Sequence, residues 1–260
     1  REHDEVADRL ELIRACRLVE RDDLEAGDVV LRPLLAAGLD WSDYATAASA
    51  RTDILVARGE FRHARAWLAS LCAESTLRGV SLTPSVRARL AELEFWEGRH
   101  FAPRTVGECT SADEIGWRAL AAWSAGNLPA MTLLSGRLVA EARSNRSPGA
   151  WWAALIHVLF ASRCHDADVD QRIQALADLS SNQPRARLRR LARFIGARVL
   201  AARGRTADAI AQLDLVAGPG PESWAAARLR RLLGSLNPTP CLPARHHPSM
   251  PGIDFLAVRS

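Results

Sequence analysis

Residues 185–205 hold eight arginines (Arg185, Arg187, Arg189, Arg190, Arg193, Arg198, Arg203 and Arg205) and no acid. On a helix, Arg185, Arg189 and Arg193 recur at i, i+4 and i+8 and share one face. A row of guanidinium forks of this kind suits carboxylates or phosphates. Arg185, Arg189, Arg193 and Arg198 are therefore the candidate anion contacts, for an acidic partner or a nucleic-acid backbone. Arg228, Arg230 and Arg231 extend the patch. Leu188, Leu191, Ile195, Val199 and Ala202 supply the buried stripe of the same helix. A solvated arginine face would give the same pattern. The patch has no lysine, no interleaved aromatics and no recognition-helix pattern, which counts against DNA.

Two further groups carry chemistry. Eight tryptophans are present, and Trp96, Trp117, Trp123, Trp151 and Trp152 fall in helices next to predicted breaks. They fit inter-helix packing or a stacking groove. Trp151 and Trp152 are adjacent and point in different directions, so one of them is a candidate partner surface. Cys164-His165-Asp166-Ala-Asp168 has metal-ligand residue types, with His100, His157, Asp208 and Asp214 elsewhere in the chain. Its His-Asp pair resembles the paired ligand of HD-type phosphohydrolases, which implies an all-α metal-dependent hydrolase as an alternative. The pair falls where a loop is expected, so no metal ligand is assigned. G-x-S-x-G, H-E-x-x-H and Gly-rich phosphate loops are absent, so no catalytic residue and no cofactor is assigned either.

The 260 residues are 48% hydrophobic and 25% charged, an ordinary balance for a globular protein. All 34 basic residues are arginine, which excludes P-loop and Schiff-base lysine chemistry within this chain. A net charge of +4 is mild for a dedicated nucleic-acid binder. Five scattered cysteines without a C-x-x-C suit a reducing, cytoplasmic setting. No apolar run reaches membrane-spanning length. The chain opens at Arg1 rather than Met, as expected of a segment of a longer regulatory protein.

These residues are positioned by a succession of short helices. Val6, Leu10, Ile13 and Cys16 step along one face of a helix over 4–20. A second helix follows over 23–37, which Pro33 should end or kink. Helices are then expected over 42–58, 61–77, 84–97, 101–109, 111–125, 129–144, 148–164, 166–180, 184–203, 206–217 and 222–235. Thr83-Pro84 and Ser147-Pro148 are cap-then-proline starts, and Ser111-Ala-Asp-Glu114 fits a capping box. Five prolines within 237–252 mark a linker, and 253–258 is briefly apolar. The expected organisation is an N-terminal helical cap over 1–40, a repeat domain over 41–236 and a proline-rich tail over 237–260.

The breaks at Gly59, Gly98, Gly126, Cys164 and Gly204 fall at helix-pair intervals. Gly59-Glu60-Phe61-Arg62-His63-Ala64 carries glycine, an acid, an aromatic and alanine at fixed offsets, and Gly204 to Ala209 repeats this without the aromatic. The chain thus resembles a degenerate tetratricopeptide-repeat (TPR) protein over roughly 41–235. Pro103 and Met131 depart at the alanine slot, and Cys164 departs at the glycine. The resemblance implies an all-α, right-handed superhelical stack of antiparallel helix pairs, of the kind fused to bacterial regulators. It implies a non-catalytic module that binds a peptide, a partner protein or a neighbouring domain.

Overall fold

A computed structural model describes residues 2–98, 109, 111–142, 147–164 and 167–236. Within these it is all-helical and has no strand. The helices are α1 (Glu2–Glu20), α2 (Leu24–Ala36), α3 (Trp41–Ala57), α4 (Phe61–Arg78), α5 (Pro84–Trp96), α6 (Ala112–Ser124), α7 (Leu128–Glu141), α8 (Pro148–Arg163), α9 (Val169–Ser181), α10 (Ala186–Ala202), α11 (Thr206–Asp214) and α12 (Pro221–Leu236). The expected helix over 101–109 and the proline-rich tail lie outside the described residues.

Local chemistry sets the boundaries. Asp40, Ser111, Asn127 and Ser147 each accept a hydrogen bond from a backbone N–H of the helix they precede. Pro33 neither ends nor begins α2. It sits inside the last turn and a half of the helix, which continues through it to Ala36. Gly59 takes φ +81°, and a Cβ there would lie 2.8 Å from the Trp224 ring. That glycine thus serves both the α3–α4 turn and a close approach of α12.

The helices form two layers. One is a row in which α1 packs on α3, α3 on α5, α5 on α6, α6 on α8, α8 on α10 and α10 on α12. In the other layer α2, α4, α7, α9 and α11 each pack beside their chain neighbours. Alanines make the close spacing along α3. Ala47, Ala50, Ile54 and Ala57 face the α1–α2 core, while Ala45, Ala48 and Val56 face the main core. The N-terminal pair and the rest of the chain therefore share α3.

The apolar stripe expected on α1 is corrected by the structure. Leu12, Ala15 and Val19 are the buried residues, whereas Val6, Leu10 and Ile13 stay 53–62% exposed. Both sets are helical in period, and tertiary packing chose the second. Farther along, Phe95, Trp96, Trp117, Trp152 and Trp151 form a run of tilted and edge-on rings with successive centroids 4.8–6.0 Å apart. It joins α5, α6 and α8, and each such pair contributes about 0.5–1.5 kcal/mol beyond area burial.

Candidate functional site: a cavity inside a buried ionic network

Helix α10 is buried on nearly all sides, so its arginines divide by direction. The inward ones meet carboxylates from distant helices. Arg187 Nη1 donates to Asp53 Oδ1 on α3 at 3.3 Å, and its Nη2 donates to Glu92 on α5 and to Glu222 Oε1 on α12, the latter at 3.1 Å. Arg89, on α5, donates from Nη1 to Glu92 Oε2 at 2.5 Å, and its Nε lies 2.9 Å from Asp53 Oδ1. Arg185, just before α10, pairs with Asp113 on α6 and lies 3.7 Å from Glu20 on α1. Arg190 pairs with Asp22 in the α1–α2 turn and donates from Nη2 to the Pro219 carbonyl at 2.6 Å. Together with Trp224 packed against Gly59 and edge-on to Phe61, these contacts bring α12 and the α1–α2 turn to the same place.

Burial and charge oppose each other here. Burial alone would pull the Arg187 guanidinium down; Glu92, Glu222 and Asp53 overcome it and hold it above the usual arginine value. Burial would likewise push Asp113 up, but Arg185 and Arg89, with hydrogen bonds from Trp152 and Arg185, keep it below the carboxylate range. Asp53 and Glu222 go the other way. Burial pushes both carboxyls up, and the nearby arginines do not fully reverse it.

A cavity of about 240 Å³ opens inside this network. Val19, Ala50, Trp117 and Leu188 give it an apolar wall, and Ser49, Ser85 and Asp53 a polar one, beside Arg89, Arg185 and Arg187. An outer hollow, lined by Arg9, Ile13, Arg17 and Asp43 among others, shares Cys16, Glu20 and Thr46 with it and leads to the surface. Burial, then Asp53 and Glu20, raise the Cys16 thiol to about 11, so it stays neutral at the junction.

The four expected anion contacts do not form one outward face. Arg185 is in the network. Arg189 donates to the Gln183 and Pro184 carbonyls, and Arg193 to the Leu215 carbonyl at 2.8 Å. Arg198 lies 4.4 Å from the centroid of the Trp123 ring, and burial lowers its pKa to about 10. Arg230 pairs with Asp214, and Arg205 with Asp170 and Asp208.

The expected partner surface at Trp151 or Trp152 is also corrected. The two are 3% and 1% exposed, because α8 packs between α6 and α7 on one side and α9 and α10 on the other. Trp151 Nε1 donates to Ser180 Oγ and Trp152 Nε1 to Asp113 Oδ1, both at 2.9 Å. Two adjacent indoles thus serve two different interfaces. His165 and Asp166 lie outside the described residues.

Sequence reasoning passed over Asp53, Arg89, Glu92, Asp113 and Glu222. One signal was present: Arg89 and Glu92 interleave with Ala88, Ala91, Leu93 and Phe95, all buried. Charges set among core residues on one helix imply a polar partner inside the fold. Comparison of the chain with protein-family models, with curated proteins and with solved structures finds no match. No helix among the described residues is long and apolar enough to cross a membrane.

Proposed function

We propose that this chain is a non-catalytic sensor or interaction module of a regulatory protein, built as a right-handed, TPR-like superhelical stack of antiparallel helix pairs. The two-layer pairing of helices supports the architecture, as do Gly59 at a left-handed turn and Ala64 and Ala209 fully buried at matching offsets. One observation favours sensing over peptide capture: the cavity is walled by α1, α3, α5, α6 and α10, helices that are remote along the chain. A small molecule there would touch all of them, and its occupancy would bias how they sit together. The arginines that would have formed a phosphate-binding face each have an intramolecular partner, so the nucleic-acid alternative gains no support.

The test is a thermal-shift panel of amines, carboxylates, zwitterions and phosphates, each at about 10 mM so that even millimolar ligands register. Proton NMR of the mixture checks that the ligand is recovered unchanged. A reproducible Tm increase with one class, and no turnover, is expected. A flat panel, or a consumed ligand, overturns the reading.

A further inference from the structure

We infer that the inner cavity takes a small organic cation, a primary amine on a short apolar body, with Asp53 as its counter-ion. This names the ligand class for the sensor reading above and rests on it.

Among the described residues, the carboxylates of Glu20, Asp53, Glu92, Asp113 and Glu222 surround the cavity network, against the guanidiniums of Arg89, Arg185 and Arg187. Arg190 and Asp22 beside it balance each other. Glu20 keeps 35% of its side-chain surface, so the buried network holds one carboxylate more than guanidiniums. A buried carboxylate in excess of the cations around it is costly, so the network favours uptake of a proton or of a cation from outside. An anion has no such opening, since each of the three arginines already serves two or three carboxylates.

Geometry then selects Asp53. Its Oδ1 takes both Arg89 and Arg187, which leaves Oδ2 without a partner among the described residues. Its side chain keeps 18% of its surface and lines the cavity. Ser49, one turn earlier on α3, adds a hydroxyl on the same wall. An ammonium beside Oδ2 would gain a charge-assisted hydrogen bond. Burial raises the Asp53 carboxyl, whereas at Glu92 on the same wall Arg187 and Arg89 overcome burial and lower it, so Asp53 is the less satisfied of the two.

Size and wall chemistry select the body. Against an apolar cavity of about 150 Å³ that accepts benzene, 240 Å³ leaves room for a ring or short alkyl chain plus an amine. Val19, Ala50, Leu188 and the Trp117 ring would cover it. The volume is far more than one metal ion needs.

The experiment uses the whole chain with benzylamine and n-butylamine, and with benzoate and benzyl alcohol as matched probes of changed charge. Thermal shift and calorimetric titration are run on wild type, Asp53→Asn and Ser49→Leu, the last filling the cavity without changing charge. The expected result is amine binding at least about tenfold tighter than benzoate or benzyl alcohol, weakened about tenfold or more in both variants. If Asp53→Asn does not fold, Ser49→Leu and the amine-to-benzoate ratio decide. Equal binding of benzyl alcohol, tighter binding of benzoate, no binding of either amine, or amine binding retained in both variants overturns the inference. A Ser49→Leu-sensitive carboxylate or zwitterion would sink the cation while leaving the sensor module standing; no ligand of any class would sink both.

Discussion

Arg187→Gln and Asp53→Asn remove opposite charges from one buried network, and an acid surplus makes their costs unequal. Arg187 is 9% exposed and bridges Asp53, Glu92 and Glu222. Its loss leaves Glu222 with the more distant charge of Arg190 and leaves Arg89 alone to serve Asp53 and Glu92. Removing one partner of a buried ion pair costs about 3–5 kcal/mol, and one stranded carboxylate with two more left to share Arg89 puts this case near the top, about 4–5 kcal/mol. Against a total stability of about 5–15 kcal/mol, that is a large share. With a urea slope of about 2–3 kcal/mol per molar, the midpoint falls by about 1.3–2.5 M. Asp53→Asn instead removes the surplus negative charge and keeps a carbonyl oxygen for Arg89 and Arg187. Its expected effect lies within about 1 kcal/mol of zero, on either side. Urea unfolding followed by the fluorescence of the buried tryptophans measures both. A cost for Asp53→Asn equal to that of Arg187→Gln would refute the surplus, and with it the ground for an external cation.

Three other outcomes follow from the same structure. Gly116→Ala would set a Cβ 2.1 Å from the Trp152 ring. It should cost about 1–3 kcal/mol despite alanine's better helix propensity, and an unchanged Tm would mean α6 and α8 are farther apart than described. On α1, Leu12→Ala should cost about 2–4 kcal/mol while Leu10→Ser stays within about 0.5 kcal/mol; the reverse order would restore the face expected from sequence. Stability should also peak at mildly acidic pH. Asp53 and Glu222, raised by burial, are strained when ionised, so stability rises as pH falls through their folded values, above the usual carboxylate pKa of about 4. Asp113 and Asp28 are lowered because arginines override their burial, so their stabilisation is lost as pH falls below that value. Midpoints that only decline from neutral pH downward would contradict the raised pair.

The helices were legible because their ends are chemical. Asp40, Ser111, Asn127 and Ser147 satisfy backbone donors locally, and Gly59, Gly126 and Gly204 turn the chain at positive φ whatever packs outside. The direction each helix faces was less legible, since it depends on residues far away in sequence. Val6, Leu10 and Ile13 keep helical period as well as Leu12, Ala15 and Val19 do, and only α2 and α3 choose between them.

Helix α10 shows why the site itself was hidden. A chain of arginines reads as a solvated or anion-binding face because one guanidinium alone is costly to bury. Here Asp53, Glu92, Asp113 and Glu222 lie 35–134 residues from Arg185 and Arg187 and meet them only once the helices have packed. The carboxylates look ordinary in their own windows, and the arginines look exposed in theirs. What made the pairing legible in principle was the circumference of α10: Leu188, Leu191, Phe194, Ile195 and Val199 are all buried, and too few directions remained for every arginine to face water. Some of those arginines therefore had to find acids inside the fold. The tally of such acids against such arginines then bears on what the cavity between them can hold.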